Sequence, residues 1–179
     1  MLKSSKKIAF KTQRLEAHFL TIENQQFVID LYNKKETLEH LEGLDVMKDI
    51  ELVMQCYEEN KNIGAYLLFC NETEEFVGFG GVQNQEFLRD GSLALPDKIE
   101  FLIMLDAKFG GRGYGHEFSQ AFLNLFSENF PQVSLPARVN KENLSCLKLL
   151  GKLGFTMEGE VCYRDWDTKF YLLRRNASL

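Results

Sequence analysis

The fold of this chain is decided by the stretch Leu102-Ile103-Met104-Leu105-Asp106-Ala107-Lys108-Phe109-Gly110-Gly111-Arg112-Gly113-Tyr114-Gly115-His116-Glu117. It joins a strongly apolar strand, predicted over residues 99–106, to a turn with four glycines that opens a helix. Backbone N–H groups at the start of a helix have no partner within it, and glycine lets a ligand approach them closely. The pattern therefore indicates a phosphate site, although such a turn can also serve only to pack a helix tightly on a sheet.

Two common phosphate motifs do not fit this turn. The P-loop requires glycine, lysine and then serine or threonine in succession, and the chain has no such triplet. The dinucleotide motif GxGxxG, begun at Gly111, requires glycine at position 116 and meets His116 instead. Neither kind of nucleotide site is therefore predicted.

The rest of the chain alternates between strand and helix periods. Strands are predicted over 14–22, 65–70, 76–82, 99–106, 132–139, 155–163 and 169–174. Helices are predicted over 23–33, near Leu38 and Leu41, near 46–57, after the glycine turn, and over 141–153 with Gly154 as the C-terminal cap. Three glycines in one strand, Gly78, Gly80 and Gly81, indicate a bulge or a close backbone approach.

Length and composition favour one globular domain over residues 1–179, with residues 1–7 flexible. Of its 179 residues, 45% are hydrophobic and 26% charged, as in proteins with a buried core. Acidic residues outnumber basic ones, 26 against 21, which argues against a surface devoted to nucleic acid. We expect an α/β (α+β) fold with a mixed, mostly antiparallel and twisted sheet of about seven strands flanked by helices.

The cysteines indicate the cellular compartment. They lie far apart, without a CxxC pair, so neither a zinc site nor a disulfide scaffold is predicted and a reducing cytosol is favoured. They are Cys56, Cys70, Cys146 and Cys162. No apolar run approaches the roughly 18 residues that a membrane span requires. A soluble, cytoplasmic protein without a metal or a membrane partner is expected.

Three segments together resemble the GNAT acetyltransferase superfamily, in particular its RimJ/RimL-like branch of ribosomal-protein N-acetyltransferases. Residues 111–117 are similar to the GxGYA(T)E form of the acyl-CoA-binding loop. Residues 143–155 resemble the branch signature NxxS…LxKLGF, and residues 12–15 resemble its TxRL start. The three segments occur in the right order and spacing over nearly the whole chain.

Three positions depart from the pattern of that branch. Gly110 stands where the superfamily often has glutamine or arginine, and Cys146 replaces the usual serine. Leu150 occupies the position where many GNAT enzymes carry a tyrosine that protonates the leaving thiolate. The branch often lacks this tyrosine, so catalysis stays compatible with the sequence, but that general acid is not assigned.

The resemblance implies acetyl-CoA as co-substrate, with pantetheine between a central, splayed pair of parallel strands, residues 99–106 and 132–139. Pyrophosphate would rest on backbone amides of the glycine turn, and N–H groups near Met104 or Leu105 would stabilise an oxyanion. Asn143 would cap the helix that it opens or contact pantetheine. The implied cofactor-binding residues are Met104, Leu105, Arg112, Gly113, Tyr114, Gly115, Asn143 and Cys146.

Proton transfer has two catalytic candidates. Glu100 stands at the start of the central strand, where related enzymes often place a glutamate that acts as base, although a strand-end glutamate can also simply face solvent. Tyr163, in the final hairpin, is a candidate proton donor, as is Tyr114. Cys146 could attack the thioester, but its place on an apolar helix face favours a packing thiol.

The resulting hypothesis is an N-acetyltransferase that moves an acetyl group from acetyl-CoA directly to a primary amine, such as the N-terminal amine of a protein. Two alternatives stay open: an acetyltransferase for a small-molecule amine or antibiotic, and a non-catalytic acyl-CoA-binding sensor or interaction module. Loops near residues 37–49 and 83–98 would select the acceptor. Dimers are common in this superfamily, which makes a homodimer one expected state.

Charge is distributed unevenly along the chain. Residues 108–152 carry six basic and three acidic residues, so the remainder holds a surplus of eight negative charges. The positive stretch coincides with the segments expected to hold an anionic cofactor, and an acidic remainder would suit a cationic amine.

Overall fold

The computed structural model describes residues 8–38, 46–60, 63–84, 99–162 and 169–176. Its strands are β1 (Ile8–Lys11), β2 (Leu15–Phe19), β3 (Ala65–Cys70), β4 (Phe76–Asn84), β5 (Ile99–Leu105), β6 (Leu135–Asn140), β7 (Thr156–Cys162) and β8 (Lys169–Arg175). Its α-helices are α1 (Gln26–Tyr32), α2 (Lys35–Leu38), α3 (Val46–Asn60), α4 (Tyr114–Asn129) and α5 (Leu144–Lys152), and a 3-10 turn spans Ala107–Phe109.

The strands form two antiparallel sheets. The larger has the order β1-β2-β3-β4-β5 and the smaller the order β6-β8-β7. They meet where β5 contacts β6, and within the described residues these two strands share no ladder of hydrogen bonds. The predicted mixed, mostly antiparallel fold with helices and a splayed central pair is confirmed.

One strand of the described structure was not predicted. β1 adds an edge strand that pairs with β2, with Lys11 opposite Glu16. Its four residues, IAFK, are too few to display an alternating pattern, so only pairing with β2 reveals the strand. β4 also continues through Gln83 and Asn84, where the sequence predicts a loop.

Helices cover both faces of the larger sheet because β3, in its centre, is buried on both sides. On one face its side chains pack with a row of phenylalanines from α4, and on the other with apolar residues of α1 and α3. The α4 row is Phe118, Phe122 and Phe126, with neighbouring ring centroids 5.9 and 6.2 Å apart. The core thus fixes α4, and with it the glycine turn that precedes α4, against one face of the sheet.

Gly81 in β4 confirms the close backbone approach expected of that strand. Its φ is +139°, and a Cβ atom there would lie 2.1 Å from the carbonyl oxygen of Gly64. Any side chain would therefore push β4 away from β3, its ladder partner.

We expect Gly81→Ala to lower the free energy of unfolding by more than about 2 kcal/mol, because the Cβ atom meets rigid backbone. Gly151→Ala is the matched control. Gly151 lies within α5, and a Cβ atom there has no neighbour within 4 Å, so this change should stabilise the protein by up to about 1 kcal/mol. Chemical denaturation measures both, and equal effects would contradict the steric account.

Candidate active site

A cavity of about 550 Å³ opens between the end of β5, the glycine turn and α5. Seven of the eight residues that the sequence proposed for cofactor binding line it: Met104, Leu105, Gly113, Tyr114, Gly115, Asn143 and Cys146. The eighth, Arg112, is exposed in the same turn and is not part of the lining. Segments that are distant in sequence therefore converge on one concave site.

The glycine turn presents open backbone to this cavity. Gly111 and Gly113 have φ values of +70° and +82°, a left-handed conformation that glycine adopts without steric cost. Gly113 is the N-cap of α4 and provides no side-chain hydrogen bond to the helix. The first-turn amides of α4 thus stay available to a ligand, at the positive end of the helix dipole.

Successive residues of β5 direct their backbone N–H and C=O groups alternately towards β4 and towards the cleft. The carbonyl oxygens of Leu102 and Met104 point towards β4, since they lie 3.1 and 2.2 Å from Cβ positions built on Gly80 and Gly78. A residue in an antiparallel strand directs its N–H and C=O to the same side. The N–H groups of Ile103 and Leu105 therefore point away from β4, into the cleft beside β6.

The third wall of the cavity is the start of α5. Asn143 is its N-cap, and its Oδ1 accepts a hydrogen bond from the N–H of Cys146 at 3.0 Å. Burial raises the pKa of the Cys146 thiol to about 11. At neutral pH only about one thiol in ten thousand would be ionised, which favours the packing thiol over the nucleophile.

Comparison with known proteins identifies the family. The sequence model of the acetyltransferase (GNAT) domain matches residues 14–156, which span β2 to the start of β7. The chain belongs to the GNAT acetyltransferase family. No protein of curated function matches the sequence significantly.

Solved structures share the fold of this GNAT acetyltransferase over nearly its whole length. The acetyltransferase from Agrobacterium tumefaciens strain C58 has 19% identity and a TM-score of 0.74, covering 93% of each chain. RimL, a ribosomal L7/L12 α-N-protein acetyltransferase, has 15% identity and a TM-score of 0.72, covering 98% of each chain.

A third similar structure is a spermidine N-acetyltransferase from Vibrio cholerae in complex with CoA and spermine. It has 14% identity and a TM-score of 0.65, covering 91% of this chain and 95% of its own. Identities this low establish the common fold and do not select a branch of the family.

In this GNAT acetyltransferase one carboxylate ties the glycine turn to the N-terminal segment. Oε1 of Glu117, in the first turn of α4, accepts hydrogen bonds from Thr12 Oγ1 at 2.6 Å and from the N–H of Arg14 at 2.7 Å. Oε2 accepts from Arg14 Nε at 2.6 Å. Arg14 also donates from Nη1 to the carbonyl oxygen of Arg112 at 2.9 Å, and its guanidinium lies 4.4 Å from the Tyr114 ring centroid.

These contacts keep Glu117 ionised. Burial by itself would raise the pKa of the carboxyl group, but hydrogen bonds from Thr12, the Arg14 N–H and the Arg14 side chain together lower it below its ordinary value of 4.5. The glutamate that ends the loop motif therefore forms one hydrogen-bond network with the residues that resemble the TxRL start.

Glu100, proposed from sequence as the base, lies outside the cavity lining and is only 3% exposed. Its Oε2 accepts from Arg138 Nε at 2.7 Å, and its Oε1 accepts from Arg138 Nη2 in a very short contact. Oε1 also accepts from Gln83 Nε2 at 2.9 Å. This buried ion pair joins β5 to β6 where the backbone ladder is interrupted.

The candidate donors of a proton differ in placement. Tyr163 lies outside the described residues, and so do most positions of the two loops proposed to select the acceptor. Tyr114 lines the cavity, and its hydroxyl lies 3.9 Å from Cys70 Sγ. Leu150 is 1% exposed in the core and does not line the cavity.

Three further charged residues line the cavity: Glu36, Lys148 and Lys152. The lysines belong to the positive stretch expected to hold an anionic cofactor, although neither was proposed as a site residue, and Glu36 was missed. The two lysines are exposed on α5, and their roughly helical spacing could have suggested a common face. Glu36 belongs to the four-residue helix α2, and no sequence pattern links it to the glycine turn.

The described residues contain no cluster of three or more His, Cys, Asp or Glu side chains arranged to hold a metal ion. None of the helices described here is both long and apolar enough to cross a membrane.

We expect Glu117→Gln to lower the free energy of unfolding at pH 7 by about 1–3 kcal/mol, because charge-assisted hydrogen bonds are lost. The folded-state pKa is lowered, so the stabilisation is present above the ordinary value of 4.5 and is lost as pH falls through the folded value. The difference from the native protein should thus be constant above about pH 5.5 and shrink below pH 4.5.

Chemical denaturation between pH 3 and 8 measures this difference. Glu142→Gln is the control, since Glu142 is exposed and makes no ion pair within the described part of the chain. A Glu117→Gln effect that is the same at pH 3.5 and pH 7 would contradict the role assigned to the charged carboxylate.

Proposed function

We propose that this GNAT acetyltransferase is an acetyl-CoA-dependent N-acetyltransferase whose acceptor is a primary amine. The observation that carries the proposal is the single cavity in which three features meet. They are the open first turn of α4, the N–H of Leu105 at the cleft edge of β5, and the start of α5 capped by Asn143. An elongated anionic thioester needs a site for its anionic end, a channel for its length and a donor to its carbonyl oxygen. The first turn of α4, the start of α5 and the N–H of Leu105 would meet these three needs.

The residues present fit the phosphates of acetyl-CoA. A Cβ atom on Gly111 would have no protein neighbour within 4 Å, so the turn leaves space at its surface for a ligand. The α4 amides and the helix dipole favour an anion there, and Lys148 and Lys152 add positive charge on the α5 wall. Arg112, exposed in the turn, is placed to interact with the same anion.

The backbone of β5 supports a specific role in acyl transfer. Acetyl-CoA, when bound, supplies an acetyl thioester for attack by an amine. The N–H of Leu105 would donate a hydrogen bond to the carbonyl oxygen as negative charge develops on it. Of the two residues proposed from sequence, Leu105 has the required orientation, because Met104 directs its backbone towards β4.

The acceptor amine must lose its proton before it can attack. At pH 7 this costs about 4–5 kcal/mol for a lysine-like amine and only about 1 kcal/mol for an α-amino group. An α-amino acceptor therefore depends less on a base, which favours a protein N-terminus and the RimJ/RimL-like branch. The three sequence segments that resemble the RimJ/RimL-like branch support a protein N-terminus, and a small-molecule amine stays the alternative acceptor.

The other sequence-based assignments stay predictions. They are the proton-donor role of Tyr163, a cytoplasmic location, and a homodimer. The alternative of a non-catalytic acyl-CoA sensor is favoured by one observation, namely that both oxygens of Glu100 are already engaged by Arg138 and Gln83. Turnover distinguishes the sensor from the enzyme.

We expect the protein to bind acetyl-CoA, and Gly111→Ala to weaken that binding by about tenfold or more, since a methyl group would occupy the space that the phosphates need. Gly154→Ala is the matched control. Gly111 and Gly154 have φ values of +70° and +84° and no neighbour within 4 Å of the added Cβ atom, but only Gly111 lines the cavity. Both variants should lose about 1–2 kcal/mol of stability from the left-handed backbone.

Titration calorimetry gives the affinity, and release of free thiol in the presence of amines gives the turnover. The acceptors to be tested are alanine- and serine-terminated peptides, spermidine and simple alkylamines. Absence of acetyl-CoA binding, or equal affinities of the two variants, would refute the assigned site. Tight binding with no amine-dependent thiol release would establish the sensor alternative.

The base role of Glu100 is tested by Glu100→Gln. Because Arg138 and Gln83 occupy its oxygens, we expect kcat/KM to keep the rise with pH that is set by the acceptor amine. Stability should fall by about 3 kcal/mol or more, since the buried Arg138 guanidinium loses the carboxylate that two of its nitrogen atoms contact.

The double variant Glu100→Gln/Arg138→Met removes both charges and should recover part of that stability. It provides the pH profile should the single variant fail to fold. Loss of the acidic limb of the profile in either variant would establish Glu100 as the base.

A further inference from the structure

The cavity carries charges of opposite sign on its two sides. Beside α4 and α5 its lining includes Lys148 and Lys152 together with the open amides of the first turn of α4. On the side of α2 it includes Glu36, the only carboxylate among the described residues that line it. An anion therefore suits the first side and a cation the second.

Glu36 approaches the cavity from the opposite face of the sheet to the glycine turn. α4 packs on the face that carries Ile103 and Leu105, whereas α1 packs on the face that carries Met104. α2 begins three residues after the end of α1 and contacts α1, which places it on the side of the second face. A ligand held by the glycine turn would leave the Glu36 side of the cavity free for another molecule.

An ion pair fixes the segment that bears Glu36. Nζ of Lys34 makes a very short contact with Oδ2 of Asp106, directly after β5. Burial by itself would raise the pKa of Asp106, which is 5% exposed, but hydrogen bonds from Lys34 and from the Lys108 N–H lower it. The segment before α2 is therefore tethered to the same end of β5 that forms the cavity wall.

The carboxylate of Glu36 is left without a partner by the described part of the chain. The side chain is exposed, and no hydrogen bond or ion pair within the described residues engages it. Other acidic residues near the end of β5 are paired: Asp106 with Lys34, and Glu75 with Lys108. An unpaired carboxylate inside a cavity is available for a ligand with positive charge.

We propose that Glu36 binds the ammonium group of the acceptor and so restricts the substrates to amines that are cationic at neutral pH. The inference rests on the proposed function and deepens it by naming the charge and the recognising residue. An ammonium group donates strong hydrogen bonds to a carboxylate, and an alkylamine arrives in this protonated form. The bound amine then releases its proton to solvent before it attacks the thioester. Glu36 is thus a specificity-determining residue, placed across the cavity from the anion side.

The test compares Glu36→Gln with the native protein at saturating acetyl-CoA, at pH 7.5. We expect KM to rise about tenfold for benzylamine, spermidine or an alanine-terminated peptide, whichever is acetylated, because the attraction between opposite charges is lost. The affinity for acetyl-CoA should stay within about twofold, since the glycine turn lies on the other side. For aniline, which is neutral at this pH, KM should not change.

Two further variants serve as controls. Glu36→Asp keeps the charge and should retain part of the affinity for the cationic amines. Glu51→Gln removes an exposed glutamate of α3 that does not line the cavity, and its KM values should equal those of the native protein. An unchanged KM in Glu36→Gln, or an equal rise for aniline and benzylamine, would overturn the proposal.

If no amine is acetylated, the proposed function fails, and the charge recognition is read from binding alone. Calorimetric titration of spermidine into the CoA-bound protein provides that reading. Binding to the native protein that is lost in Glu36→Gln supports the ammonium site. Absence of binding to the native protein, or equal binding to both, refutes it.

Discussion

The Glu117 carboxylate holds together the parts on which the site depends. It collects hydrogen bonds from Thr12 and from both the backbone and the side chain of Arg14, and Arg14 in turn holds the carbonyl oxygen of Arg112. The glycines of the turn could adopt many conformations by themselves. This network selects the conformation in which the α4 amides face the cavity. The glycine turn is therefore held in place although its residues leave room for a ligand.

A second constraint acts where the two sheets meet. β5 and β6 contact each other without a backbone ladder, and the buried pair of Arg138 with Glu100 connects them instead. A continuous ladder would use the N–H groups of Ile103 and Leu105. The interruption leaves them free for a ligand, at the cost of burying two charges that must compensate each other. The same pairing explains why a glutamate that the family resemblance marks as a base is here enclosed by donors.

Local patterns predicted most of the elements correctly. The apolar runs of β3 and β5, the helical period of α5 and the cap at Asn143 each depend on neighbours within a few residues. Predictions were wrong where the determinant is a distant partner. β1 is a strand only because β2 lies beside it. The last two residues of β4, which were not predicted as strand, extend it because they pair with the first two residues of β5.

By itself the sequence determined the family, the order of the elements from β2 onward and seven of the residues that line the cavity, because motif and periodicity are local properties of the chain. Only the tertiary structure decided which side chains are paired and which are open. Glu100 and Glu36 are both acidic, yet Glu100 is enclosed by Arg138, whereas Glu36 lines a cavity and has no partner among the described residues. That difference arises from contacts between segments far apart in sequence, where burial and distance rather than residue type set the role of a charge.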